Sequence, residues 1–119
     1  KRAPGIYSSR WSGIKNNFDE AIQKVFKEMS KIKKDWKSEN TARFVCCMTL
    51  FWPDGINYSS KGIVKGKIST KKKGNNGFGY DPIFIPDGFN KTFGEMKPKL
   101  KMSIDHRFKA FFKIKKFFN

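Results

Sequence analysis

The run NNGFGYDPIF at residues 75–84 constrains the fold more than any other stretch of the chain. Gly77 and Gly79 admit backbone angles that a β-carbon forbids, and they let another group approach the main chain closely. Phe78 and Tyr80 add two flat rings within the same turn. Pro82 biases Asp81 towards an extended conformation, with its carboxylate held clear of the strand that follows. Ile83, Phe84 and Ile85 make that short buried strand, and Pro86-Asp87-Gly88 ends it. The run therefore has two readings. Its aromatics join a core beneath a glycine-rich hairpin loop, or they offer faces on which a base stacks, worth about 1–3 kcal/mol per base.

The elements before this turn follow from periodicity. Phe18, Ala21, Ile22, Val25, Phe26, Met29 and Ile32 recur at three-and-four spacing, with Asp19, Glu20, Lys24, Lys27, Glu28 and Lys31 opposite. This predicts an amphipathic helix of about four turns, capped by Asn16 or Asn17. Residues 33–40 read as a charged loop. Residues 41–52 read as a strand whose two faces both turn apolar after Arg43, which predicts a central position in a sheet. Pro53-Asp54-Gly55 is a turn signal, and residues 56–60 return as the second strand of a hairpin. Residues 62–68 are a third extended piece or a bent continuation, with glycines at the kinks.

After the turn, Thr92-Phe93-Gly94-Glu95 is a capping-box pattern that predicts the start of a short helix. Pro98 suits the first position of a helical turn. Asp105 caps a final helix carrying Phe108, Ala110, Phe111, Phe112, Ile114, Phe117 and Phe118. That helix is apolar over more than one stripe, so it is buried on two sides, meets a partner, or is covered by a layer outside the chain.

Length allows one domain over residues 1–119, and thirteen phenylalanines supply ample core volume. The charge is lopsided: 26 Lys and Arg against 10 Asp and Glu, formally +16. Such a surface attracts polyanions. Most of the excess is lysine, the weaker residue for forked recognition of phosphate or base edges, which favours a solvated face over nucleic-acid binding. Cys46 and Cys47 are neighbours that point to opposite faces of a strand, so they do not pair, and no spacing suggests a zinc site. Nothing reads as a membrane span or secretory signal, and free thiols suit a reducing compartment, so a cytoplasmic protein is expected.

The polar groups that stand out come late: Asp81, Glu95, Lys101, His106 and Arg107. There is one histidine and no serine-centred nucleophile motif, which argues against a hydrolytic triad. There is no P-loop. An aromatic turn, a lysine and a His-Arg pair are parts for holding a base and a polyphosphate, because Arg makes forked contacts to oxygen and Lys supplies a point charge. The plainer reading has His106 and Arg107 bracing the last helix.

Four blocks in order carry a resemblance: APGIYSSRWSG at 3–13, ARF at 42–44, GNNGFGYDPIF at 74–84, and KTFGEM at 91–96 followed by Lys101 and IDHR at 104–107. The chain resembles the inosine/xanthosine triphosphate pyrophosphatases, the ITPase or RdgB-type family. The resemblance implies an α/β fold, a mixed twisted sheet flanked by helices. It implies Mg²⁺-dependent hydrolysis of aberrant purine nucleoside triphosphates (ITP, dITP, XTP) to monophosphate and pyrophosphate, by a homodimer. It also implies that Phe78, Gly79, Tyr80 and Asp81 line the nucleotide pocket, that Lys101 contacts the nucleotide, and that His106 and Arg107 read the purine edge. The family's phosphate loop and acidic block have no counterpart here, so the chain is expected to be the C-terminal two-thirds of such an enzyme, with the catalytic residues upstream. Asp105 stands where the family usually has serine. The alternatives are a nucleotide-binding fragment, or a basic nucleic-acid-binding module using Phe78, Tyr80 and the lysines at 71–73.

Overall fold

A computed structural model describes residues 18–117. Helix α1 spans Phe18–Ile32, strand β1 Ala42–Phe51 and strand β2 Asn57–Ile68. A 3-10 turn at Asp81–Ile83 leads into β3 at Phe84–Pro86. Helices α2 (Pro98–Ile104) and α3 (His106–Ile114) follow, and a 3-10 turn at Lys115–Phe117 closes the described chain. The expected helix-and-sheet architecture is present, and the described strands run antiparallel in the order β1-β2-β3. The capping of α1 by Asn16 or Asn17, and the block at 3–13, lie outside the described residues.

The hairpin corrects two expectations. Among the described strands β1 is an edge, not the centre, and its residues alternate between half-buried and exposed. Its odd-numbered face pairs Arg43 with Lys65, Val45 with Ile63, Cys47 with Lys61 and Thr49 with Ser59, and the described residues leave that face exposed, Val45 and Phe51 included. Nor do glycines kink the return: β2 is one continuous strand of twelve residues. Gly62 serves close approach instead, since a β-carbon there would overlap the His106 carbonyl and the Ala110 nitrogen of α3. Ser60 Oγ donates to the Ala110 carbonyl at 2.6 Å, which fixes α3 across the sheet.

Strand β3 is only three residues long, so most of β2 has no neighbour on that side among the described residues. Helix α3 closes the edge with lysines. Lys113 Nζ donates to the Lys61 carbonyl at 2.8 Å and Lys109 Nζ to the Ile63 carbonyl at 3.2 Å, while the Asp87 amide takes the Lys65 carbonyl at 2.9 Å. Unpaired strand carbonyls are thereby satisfied without another strand.

The core lies between the sheet and the segment at 92–96. Val64, Phe84, Phe93 and Met96 are buried together, with Ala42, Phe44 and Ile104 against them. Phe44 stacks on Phe84 at 4.2 Å between ring centroids. A second buried group forms where the sequence reads as a charged loop. Trp36 stacks on Phe26 at 5.6 Å, and its indole donates to Ser30 Oγ at 3.1 Å. Asn40 then joins this corner to the end of β2, accepting from the Ile68 amide at 2.6 Å.

The Thr92–Glu95 capping box forms, with the Thr92 amide donating to Glu95 Oε1 at 2.9 Å and the Glu95 amide to Thr92 Oγ1 at 3.1 Å. It closes a turn and starts no helix: α2 begins only at Pro98, in its first turn as expected. The last helix is not buried on two sides by the described residues. Ala110 and Ile114 face the sheet, whereas Phe108, Phe111 and Phe112 are exposed. No helix of the described residues is long and apolar enough to cross a membrane.

Candidate functional site

The glycine-aromatic turn is shaped from within by Asp81. Its carboxylate Oδ2 accepts from the Phe78 amide at 3.0 Å and lies 2.9 Å from Lys101 Nζ. Here the expectation of an extended Asp81 fails. Asp81 opens the 3-10 turn and is buried, because its carboxylate folds back on its own loop and on α2. Gly77 is needed at φ +73°, where a β-carbon would also strike that carboxylate.

The loop is held from outside by the 92–96 segment. The Asn76 amide donates to the Gly94 carbonyl at 2.9 Å, and Asn76 Nδ2 to the Met96 carbonyl at 2.8 Å. Gly94 N–H returns a bond to the Asp81 carbonyl at 2.9 Å, and Thr92 Oγ1 one to the Lys73 carbonyl at 2.7 Å. These bonds leave Phe78 as the exposed tip of a fixed turn, with 58% of its surface open to solvent.

Lys101, from the last turn of α2, is the buried centre of the site. Its ammonium sits 2.9 Å from Asp81, 3.9 Å from Asp105, and 5.0 and 5.8 Å from the ring centroids of Phe78 and Phe93. Two carboxylates and two ring faces together offset the loss of water around the charge. Asp105, between the helices, caps α3 by accepting from the Phe108 amide at 2.8 Å. His106 and Arg107 then begin α3, and the Arg107 guanidinium lies 4.5 Å from the Phe78 ring centroid.

The sequence-predicted residues thus sort into a centre and a margin. Phe78, Asp81, Lys101 and Arg107 come together directly. Gly79 is in the same turn at φ +61°. The Tyr80 ring turns away to meet Phe18 edge-on at 5.3 Å. The His106 ring turns to the sheet, edge-on to Phe44 at 5.1 Å, with Nδ1 buried and without a hydrogen-bond partner among the described residues. Burial pushes the His106 imidazole below its ordinary value of 6.5; Arg107 and Lys101 add to this, and Asp105 and Asp81 oppose it. The sequence reading did not find Phe93 and Asn76, which lack a chemical signal. Asp105 reads as a cap and as a charge beside His106 and Arg107, although its position four residues after Lys101 also marks it as a helical partner of that charge.

A separate groove of about 570 Å³ lies between β2 and the α2–α3 pair, lined in part by Ile63, Phe89, Ile104 and Phe108. None of the sequence-predicted site residues lines it, and its walls are mainly apolar. Polar chemistry converges on the Phe78 turn, which is therefore the candidate site. Among the described residues no group of three His, Cys, Asp or Glu side chains could hold a metal ion. The two carboxylates that do converge already enclose an ammonium.

An antiparallel hairpin crossed by a helix pair defines an α/β protein in which an exposed aromatic tip faces a guanidinium. Comparison with known proteins places it further: residues 1–117 match the Ham1 family, and the chain belongs to that family. A dITP/XTP pyrophosphatase of Zymomonas mobilis is 42% identical over 109 residues, covering 92% of this chain and 51% of the relative. A dITP/XTP pyrophosphatase of Rhodospirillum centenum is also 42% identical, covering 92% and 53%. The Ham1 protein of Staphylococcus aureus superposes with a TM-score of 0.84 at 34% identity, over 97% of this chain and 57% of that one. A HAM1 protein of Coxiella burnetii gives a TM-score of 0.85 at 33% identity, over 97% and 58%. The chain spans about half the length of the curated relatives it matches, and the ITPase-like fold expected from its motifs is borne out.

Proposed function

We propose that the protein hydrolyses noncanonical purine nucleoside triphosphates (dITP, ITP and XTP) to the monophosphate and pyrophosphate, and that residues 78–107 carry its base-recognition site. One observation carries this reading: the Arg107 guanidinium stands 4.5 Å from the exposed Phe78 ring. A purine stacks on Phe78 and presents its edge to Arg107. A 6-keto oxygen accepts from the guanidinium, whereas a 6-amino group leaves a donor facing a donor, and a buried mismatch of that kind is costly. The His106 ring, edge-on to Phe44, is turned away from that edge and braces the start of α3 beside Arg107. Gly79, Tyr80 and Asp81 shape the floor, and Lys101 holds that floor in place through its ion pair with Asp81.

The reading brings a divalent cation, Mg²⁺, which would neutralise the triphosphate. The described residues do not fit it, since Asp81 and Asp105 are engaged with Lys101. A homodimer working in the cytoplasm completes the proposal, on the family resemblance. The nucleic-acid reading is weaker because two of its parts are already engaged: Tyr80 packs on Phe18, and Lys72 pairs with Asp19 at 2.7 Å.

The test is nucleotide discrimination. With Mg²⁺, pyrophosphate release from ITP should exceed that from ATP by at least about a hundredfold. Arg107→Ala should lose most of that ratio, chiefly through ITP. Equal rates on ITP and ATP in the unmutated protein would refute the proposal.

A further inference from the structure

We propose that Asp105 is a positioning residue for base recognition, acting through the buried ammonium of Lys101 to hold Arg107 in place over Phe78. This rests on the base-recognition reading above and adds a residue to it. Asp105 has two oxygens with two tasks. Oδ1 accepts from the Phe108 amide at 2.8 Å and so fixes the first turn of α3, the turn that carries His106 and Arg107. Oδ2 faces Lys101 Nζ at 3.9 Å. The same ammonium holds Asp81 at 2.9 Å, and Asp81 in turn holds the Phe78 amide at 3.0 Å.

Asp105, Lys101 and Asp81 therefore form one ionic chain from the start of α3 to the tip of the aromatic turn. Its two ends are Arg107 and Phe78, the pair 4.5 Å apart that reads the base. Both carboxylates are buried, at 6% and 4% side-chain exposure, so the chain is little screened by solvent. A serine at 105 would cap the helix equally well but could not tie it to Lys101. The carboxylate thus adds the link and not the cap.

Two variants separate these tasks. Asp105→Asn keeps a strong cap and removes the charge, while Asp105→Ala removes both. The first readout needs no nucleotide. His106 is the chain's only histidine, so its titration can be followed alone by NMR. The charged groups facing it are Asp105, Arg107, Lys101 and Asp81. In Asp105→Asn the imidazole should titrate at lower pH than in the unmutated chain, because the largest influence raising it is gone. Phe78 and Arg107 side-chain signals should broaden or shift together. The second readout is binding of ITP and ATP to the same chain, followed through the amides of residues 78–81. Asp105→Asn should lower the ITP-over-ATP preference by about fivefold or more, as expected when one member of a connected network is removed.

Unchanged His106 titration and unchanged Phe78 and Arg107 signals in Asp105→Asn overturn the proposal. So does a nucleotide preference equal to that of the unmutated chain. If the unmutated chain shows no preference for ITP, the base-recognition reading fails, while the Phe78 and Arg107 signals of Asp105→Asn still decide whether Asp105 holds the helix start to the turn.

Discussion

A lysine ammonium survives away from water only where other groups replace its hydration, and Lys101 has two carboxylates and two rings. Removing one side of such an arrangement is worse than removing all of it. Lys101→Met leaves two buried carboxylates without their counter-charge and should cost about 3–5 kcal/mol in urea unfolding. Adding Asp81→Asn to that variant should restore at least part of the loss. Equal stability of Lys101→Met and the unmutated chain would show that the pair is solvated. His106 gives a second test at this scale. Its folded-state pKa is depressed by burial, so the unfolded chain takes up the proton first as pH falls. Stability should be unaffected by this group above its ordinary value of 6.5, should decline as pH drops below it, and should level off below the folded-state value. His106→Gln should flatten that part of the stability profile. None of this was readable from residue types alone. Lys101 and Asp81 are twenty residues apart, and their meeting depends on the turn and α2 both being built.

At the scale of elements, local signals did most of the work where one face of an element meets water. The stripe from Phe18 to Ile32 gave α1, and Asp105 and Pro98 marked where α3 and α2 begin. The failures came where tertiary contact decided the outcome. Apolar residues on both sides of β1 suggested a central strand, yet only one side meets α3. Trp36 was lost among Lys33, Lys34, Asp35 and Lys37, because a single buried ring leaves no period. Gly62 read as a kink, yet it is the point where α3 touches β2 backbone to backbone. Gly62→Ala should therefore cost about 1–3 kcal/mol or more in chemical denaturation, since neither neighbour is a side chain that can swing aside. A change below about 0.5 kcal/mol would mean that α3 is more loosely seated than its bonds to Ser60 and the β2 carbonyls indicate.

At the scale of the whole molecule, surface charge and surface hydrophobicity oppose one another. The chain carries +16, and Phe51, Phe112 and Ile56 are among its well-exposed apolar side chains. Repulsion reaches across about 10 Å at 0.1 M salt but only about 3 Å at 1 M. Sedimentation should therefore show a smaller average mass at low salt and concentration-dependent association at high salt. The opposite trend would mean that association is driven by ion pairs. The candidate site was legible as a stretch of sequence because GFGYDPIF and the His-Arg pair form specific blocks. The division of labour within it was not. A sequence names Tyr80 and His106 beside Phe78 and Arg107, but ring direction is set by Phe18 and Phe44, which belong to other elements.

The enclosure of Lys101 also divides the chain's amines by chemistry. Lysines on the surface will acylate rapidly under mild reagent, in proportion to their access to water. Lys101 has a side chain only 10% exposed and engaged in two ion pairs, so it should resist until the turn opens. Its rate of covalent modification is then a clock for the opening of the Phe78 loop, readable by mass spectrometry without nucleotide or activity.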